Sequence, residues 1–327
     1  MAVLSYLEAI RETLRQEMRR DPRIIIYGED VGVRGGVFRV TEGLQKEFGE
    51  DRVIDSPLAE AAIVGTAIGA AINGLRPIPE IQFADFIFPA MNQIVQEAAR
   101  IRYRSNGAFH VPLVIRAPYG GGVHGALYHS QSVEAFFAHV PGLKVVVPGT
   151  PYDAKGLLAA AIQDEDPVLY FEHKAAYRSI KGEVPDDRYV IPIGKADLKK
   201  AGQHLSIITY GLMVTYALKA AEELEKEGIS VEVLDLRSVR PLDTEAIVET
   251  AKKTGKVLIV HEDNLTGGIG GEIAAIIAEQ ALFYLDAPIQ RLCGPDVPAM
   301  PYSPPLEHAF MVTPDKIRDA AKKLAAF

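Results

Sequence analysis

Two side chains in this sequence are placed to do proton chemistry. Glu60 follows the run Asp55-Ser56-Pro57 and sits among Leu58, Ala59, Ala61, Ala62, Ile63 and Val64, all apolar. A carboxylate in such surroundings is costly unless it is protonated, paired or used. A plainer account stays open. With Ser56 as N-cap and Pro57 at the first helical position, Glu60 stands one place beyond the capping-box register. There it gains only about 0.3–1 kcal/mol from the helix dipole. His129, in Tyr128-His129-Ser130-Gln131-Ser132, is the second candidate. It ends a long loop after a strand expected at Pro112–Ile115, and an imidazole there can exchange a proton near neutral pH. The alternative is a hydrogen-bonded loop histidine with no chemical role. His124 and His129 lack helical i, i+4 spacing and a third ligand, so zinc is not indicated.

Phosphate-binding signatures are weak. The P-loop pattern is absent, because Gly194-Lys195 is followed by Ala196 and Gly255-Lys256 by Val257. Gly267-Gly268-Ile269-Gly270-Gly271-Glu272 opens a helix after a strand, but its glycines do not fit G-x-G-x-x-G. Glu272 also puts negative charge where an anion would bind, so a tight structural turn is favoured over an anion site. In Gln82-Phe83-Ala84-Asp85-Phe86-Ile87-Phe88 the aromatics read as core, or as a ring able to stack on a flat heterocycle beside Glu60 and His129.

The elements that must position these groups alternate. Strands are expected at Arg23–Tyr27, Arg52–Ile54, Pro77–Ile81, Pro112–Ile115, Leu143–Val147 and Val168–Phe171, mostly continuous apolar runs of the kind covered on both faces. Helices are expected at Ser5–Arg19, Ala59–Ile72, Asp85–Arg104, Val133–Ala138 and Tyr152–Gln163. Residues 181–203, rich in charge, Pro and Gly, read as a connection with a short strand at Tyr189–Pro192. The alternation then restarts with strands at Ser206–Thr209, Ser230–Leu234, Val257–Val260 and Ile289–Leu292. Between and after them come helices at Val214–Lys226, Thr244–Lys252, Glu272–Phe283 and Pro314–Ala326. The fold class is therefore α/β with two domains, residues 1–185 and 204–327, joined by 186–203. Ligands of open α/β sheets gather beyond the carboxyl ends of strands, which is where Glu60, Phe86 and His129 fall. Ala61, Gly65, Gly69 and Asn73 form a small-residue seam for a close helix contact, inside the core or between subunits.

Composition removes other classes. The 327 residues carry 35 Lys+Arg against 43 Asp+Glu with no block of like charge, so the footprint of a nucleic-acid binder is missing. Cys293 is the only cysteine, which excludes an internal disulfide framework or cysteine-built metal cluster. Glu8, Arg11 and Glu12 are incompatible with a secretory signal, and Ala61–Leu75 is too short to span a membrane. A cytoplasmic protein is expected.

Several segments resemble one family. Gly28-Glu29-Asp30-Val31-Gly32, Asp55-Ser56-Pro57-Leu58-Ala59-Glu60, Glu80-Ile81-Gln82-Phe83-Ala84-Asp85-Phe86, Tyr128-His129-Ser130-Gln131-Ser132, Pro141-Gly142-Leu143-Lys144-Val145-Val146 and Pro151-Tyr152-Asp153-Ala154-Lys155-Gly156-Leu157-Leu158 occur in order along the chain. They are similar to the beta subunit of the decarboxylating, thiamine-diphosphate-dependent component of 2-oxo acid dehydrogenase complexes. The loop His124–Ser132 with Glu134–His139 resembles the branched-chain members more than the pyruvate ones.

The resemblance implies a pyrimidine-binding first domain and a transketolase-type C-terminal domain. It gives Glu60 the role of the acid that hydrogen-bonds the aminopyrimidine ring of thiamine diphosphate, with a raised pKa helping it to donate. Phe86 matches the aromatic packed on the pyrimidine, and Leu58 and Gln82 match neighbouring cofactor positions. His129 matches the histidine that serves acyl transfer to a lipoyl disulfide. A potassium ion is implied at Leu113, Val114, Ala161, Asp164 and Asp166, although the two aspartates could simply terminate a helix. The Gly-Asp-Gly motif that holds magnesium and diphosphate is absent here. The resemblance therefore implies an alpha subunit, in an α2β2 heterotetramer, that grips Mg2+ and the anionic end and docks with it on a lipoyl acyltransferase core. A self-contained NAD-dependent dehydrogenase and a non-catalytic organising subunit are the rival readings.

Overall fold

A computed structural model describes all residues, 1–327. Its larger sheet has seven strands in the order Ser238–Arg240, Lys144–Val146, Val168–His173, Val114–Tyr119, Arg76–Glu80, Ile24–Gly28, Val53–Asp55. All neighbours run parallel except Ser238–Arg240, which is antiparallel to Lys144–Val146. A second sheet of five strands runs Gln290–Gly294, Val257–Asn264, Leu205–Thr209, Val231–Asp235, Asp197–Lys200, with only the last pair antiparallel. Val114–Tyr119, Val168–His173 and Leu205–Thr209 are buried at every position, so that Arg116, Glu172, His173 and Ser206 are buried among otherwise largely apolar residues.

Helices cover both sheets. Tyr6–Arg20 carries a full capping box: the Ser5 hydroxyl accepts from Glu8 N–H while the Glu8 carboxylate accepts from Ser5 N–H. Thr150 caps Pro151–Gln163 and Asp243 caps Thr244–Thr254. No helix is long and apolar enough to cross a membrane.

Three expectations change. The helix expected at Asp85–Arg104 is broken into 3-10 turns at Ala84–Phe86 and Phe88–Ala90, a π-helix at Asn92–Ala98 and a short α-helix at Ile101–Arg104. Pro89 has no N–H to give a continuous α ladder, and Ala99 N–H reaches back five residues to the Ile94 carbonyl. Tyr189–Pro192 is not a strand: Tyr189 stacks on Tyr152, with ring centroids 4.7 Å apart, and Ile191 fills the space over Gly156. The connection instead contributes Lys181–Val184, paired with Ala2–Ser5, and Asp197–Lys200 in the second sheet. Lastly, Pro304–Phe310 is a short helix in a stretch to which the sequence assigns no element.

The halves interlock. Ser238–Arg240, from the second half of the chain, extends the first sheet, and Arg237 reaches Asp153 at 2.6 Å while Lys199 reaches the same carboxylate at 2.6 Å. On the helix Glu60–Ile72 the small-residue face is largely uncovered. A Cβ at Gly65 would meet only Gln93, and one at Gly69 would meet nothing.

Candidate active site

Strand register assembles the site. Gly28 lies opposite both Asp55 and Glu80, and Glu80 lies opposite Arg116. These parallel strands end together, so Glu29, the 56–60 turn, the 81–86 segment and the 120–132 loop all leave the same sheet edge. Beneath that edge a buried charge network ties three strands. Arg116 donates to Glu80 at 2.6 Å and to both Glu172 oxygens at 2.6 and 2.8 Å, and Tyr177 donates to Glu172 at 2.7 Å. Burial opposes the Arg116 charge, but Glu172 and Glu80 hold the guanidinium above its ordinary pKa.

His129 is packed from two sides. Phe83 approaches it edge-on with centroids 4.6 Å apart, and Phe86 with centroids 5.4 Å apart. The ring nitrogens of this half-buried imidazole make no hydrogen bond within the chain. Asp85 accepts from the N–H groups of Ser130 and Gln131, each at 3.1 Å. The first half of the same loop is held by the second domain: Gly121 N–H donates to Glu262 at 2.6 Å, and Gly122 and His124 N–H both donate to Glu307 at 3.1 Å. The His124 ring also lies 2.5 Å from Glu307, so it is a loop anchor and not a metal ligand.

Glu60 is the first residue of its helix, with Ala59 as N-cap; Ser56 does not cap it, and Pro57 lies before the helix. The apolar seal expected around it is not present in the chain. Helical periodicity turns Ile63 and Val64 inward and leaves Ala62 outward, and Leu58 in the preceding turn is 71% exposed. Glu60 and Gln82 are half-buried. Glu29, which the sequence reading quoted but did not single out, joins the site. Burial pushes its carboxyl up, and Asp30 and Glu60 add to the shift. The signal for it was available, since Glu29 directly follows a strand end. Phe83, Asp85 and Lys174 were also missed as site residues; Lys174 stands 5.7 Å over the Phe83 ring.

The structure thus groups Phe86 and His129 in one cluster, with Gln82 leaving the end of Arg76–Glu80 and Glu60 following Val53–Asp55, on the far side of Ile24–Gly28. None of the five principal cavities is lined by Glu60, Phe86 or His129; the largest, about 890 Å³, lies between Arg102 and Arg240. The strand-end crevice is an open face.

The residues matched to potassium lie at the opposite end of the strands. Leu113 and Ala161 carbonyls accept from Val168 and Asp164 N–H. Lys144 binds both Asp164 oxygens at 2.7 and 2.6 Å, and Arg102 binds both Asp166 oxygens at 2.8 Å. The acidic side chains there are thus ion-paired within the chain. The glycine run at 267–271 is a structural turn: a Cβ on Gly270 would stand 2.8 Å from the His261 ring, to which Gly270 N–H donates at 3.2 Å.

Comparison with known proteins agrees with this arrangement. Residues 2–179 match the family model described as transketolase, pyrimidine binding domain, and residues 194–317 match transketolase, C-terminal domain. The chain is 65% identical over its full length, and that of the relative, to 2-oxoisovalerate dehydrogenase subunit beta of Bacillus subtilis (strain 168). It is 49% identical, again over both full lengths, to pyruvate dehydrogenase E1 component subunit beta of the same organism. Among solved structures it superposes on a chain titled split gene transketolase, inactive beta4 tetramer, with TM-score 0.79 at 23% identity, covering 99% of this chain and 98% of that one, a likeness of fold. On two domain models matched in order and relatives aligned end to end, the chain belongs to the beta subunits of the thiamine-diphosphate-dependent component of 2-oxo acid dehydrogenase complexes, and it resembles the bacterial branched-chain members.

Proposed function

We propose that this chain, with an alpha subunit in an α2β2 heterotetramer, decarboxylates a 2-oxo acid, branched-chain acids preferred, and reductively acylates lipoyl groups of an acyltransferase core. The observation that carries the reading is the convergence of Glu60, Phe86 and His129 at adjoining parallel strand ends, with no Gly-Asp-Gly motif in the chain. Thiamine diphosphate, when bound, supplies the carbon nucleophile and the electron sink.

The residues fit the heterocyclic half of that cofactor. A carboxyl at a helix start can donate to a ring nitrogen, Phe86 offers an aromatic wall, and Leu58 and Gln82 flank the approach. A buried Asp85 oxygen without a partner lies on the same wall. Glu60 would hold the proton that the ring nitrogen shares. His129, with no partner for its ring nitrogens in the chain, would deliver a proton to the thiolate that leaves the opened lipoyl disulfide. The diphosphate and its Mg2+ would be gripped by the alpha subunit, which would also cover the exposed Leu58 and dry the Glu60 carboxyl. The two domains are taken as residues 1–185 and 204–327, and the complex is taken to be cytoplasmic.

The test is Glu60→Gln in the reconstituted complex. Loss of acid–base help predicts a fall in decarboxylation of roughly 10²–10⁴-fold, and near-normal turnover would sink the assignment. Assays over straight and branched 2-oxo acids separate this reading from a pyruvate-preferring one, which the pyruvate dehydrogenase relatives at about half identity would favour. Potassium at Leu113, Val114, Ala161, Asp164 and Asp166 belongs to the proposal too. It predicts a higher melting temperature in KCl than in NaCl at equal ionic strength; identical curves would remove the ion.

A further inference from the structure

We propose that Asp85 is a positioning residue for acyl transfer: it clamps the backbone immediately after His129, so that the imidazole stands between Phe83 and Phe86 at the strand-end crevice. The inference rests on the reading of His129 given above and adds the residue through which that histidine is held.

Three observations converge. One short segment provides both the ring contacts and the acceptor for the next two amides: Phe83 and Phe86 wall the ring, and the carboxylate between them in sequence takes the N–H groups of Ser130 and Gln131. The loop has little regular structure of its own to do this. It includes only the 3-10 turn Ala126–Tyr128, and His124 and Ala126 stand at φ 55° and 53°, a region that side-chain-bearing residues rarely adopt. Apart from Asp85, the segment after the histidine is held only further on, by Gly120 N–H donating to the Gln131 carbonyl at 3.0 Å and by the Ser132 hydroxyl 3.4 Å from Glu262; Asp85 is the acceptor for the Ser130 and Gln131 N–H groups themselves.

The carboxylate is also unusual in its setting. Asp85 is 7% exposed, one of its oxygens accepts both N–H groups, and the other is buried without a partner. Buried acceptors are ordinarily satisfied, so one left open at a site calls for a reason. The nearby cation is Lys174, itself 3% exposed, whose best protein acceptor is the Pro118 carbonyl at 3.5 Å. Burial pulls the Lys174 ammonium down to about 8, against the opposing pull of Asp85 and Glu262. Phe83 lies between that ammonium and the His129 ring. The arrangement keeps a negative charge beside the loop with a cation one ring away, and neither is tied up in a direct ion pair.

The experiment compares Asp85→Ala, Asp85→Asn and His129→Ala in the complex reconstituted with the alpha partner. Two assays are run on each: decarboxylation with an artificial electron acceptor, and acylation of a lipoyl domain. Misplacing a proton donor by an ångström costs up to about a hundredfold, so Asp85→Ala should lower kcat for lipoyl acylation roughly tenfold to a hundredfold. Decarboxylation should fall clearly less than lipoyl acylation, and the KM for the lipoyl domain should move little. Asp85→Asn keeps an acceptor oxygen and should recover part of the lost rate; it also serves if the alanine variant does not assemble. Hydrogen exchange gives a readout that needs no turnover: the Ser130 and Gln131 amides should lose protection in Asp85→Ala and keep part of it in Asp85→Asn. Equal losses in both assays, or normal lipoyl acylation with unprotected amides, would overturn the positioning role. If His129→Ala itself acylates lipoyl normally, the assignment of His129 fails. If His129→Ala is impaired and both Asp85 variants are not, only the inference about Asp85 falls.

Discussion

His129 shows how a residue becomes chemically available by what it does not touch. Its ring is packed by two phenylalanines 4.6 and 5.4 Å away, centroid to centroid, while its nitrogens are left to face a ligand. His129→Asn, which keeps a polar group but cannot shuttle a proton near neutrality, should lose lipoyl acylation by about 10²-fold or more while decarboxylation with an artificial acceptor is spared. Single-turnover measurement of both steps checks this, and a matched decline would contradict it. Glu60 and His129 could be picked from the sequence because each is an ionisable group in a segment that follows a strand, and Phe86 through the family resemblance of the segment around it. Phe83, Asp85 and Lys174 could not, since their importance comes from contacts across 40 or more positions, such as Asp85 to Ser130.

Between residue and fold, the elements are pinned at their carboxyl ends by buried charge. Arg116 is fully buried and bridges Glu80 and Glu172 across three adjacent strands. Removing the cation leaves two carboxylates uncompensated, and breaking a buried pair costs about 3–5 kcal/mol. Arg116→Met should therefore lower the unfolding free energy of the chain by about that amount, readable in denaturant titration. A change below about 1 kcal/mol would mean that solvent or rearrangement rescues the glutamates. This network also explains why the floor of the site is rigid while its rim is loop. The broken helix over residues 84–104 has a related logic, since Pro89 interrupts it just after Asp85 and Phe86 have been delivered to the crevice.

At the scale of the whole molecule, the two halves meet through carboxyl groups whose affinity for protons is raised by burial. Burial pushes Glu134 up to about 8, Asp235 up to about 7 and Asp263 up to about 6. Glu134 accepts from Tyr210 at 2.8 Å across the domain junction, and its other oxygen has no partner. In the unfolded chain these acids release their protons near pH 4–4.5. The folded state thus binds more protons than the unfolded one above that point, and stability falls as pH rises toward 8. Glu134→Gln keeps the acceptor for Tyr210 and removes the titration. Its melting temperature should fall less than wild type between pH 5 and pH 8, with a gain at pH 8 on the order of 1–3 kcal/mol. Parallel curves for the two proteins would place the pH dependence elsewhere.

The sequence by itself determined the α/β alternation, most strand and helix positions, the family, and the strand-end residues that face the crevice. Those features are local: apolar runs, caps, turns and short motifs carry them within a few residues. Only the tertiary structure decided that Ser238–Arg240 extends the first sheet and that Glu307 and Glu262 anchor the 120–132 loop from the second domain. It also revealed that Glu60 is half-open in the chain alone and that Lys144 and Arg102 neutralise Asp164 and Asp166. Each of those depends on which distant groups share a low-dielectric space. Pairing and burial are properties of the packed chain, and no periodicity or motif encodes them one segment at a time.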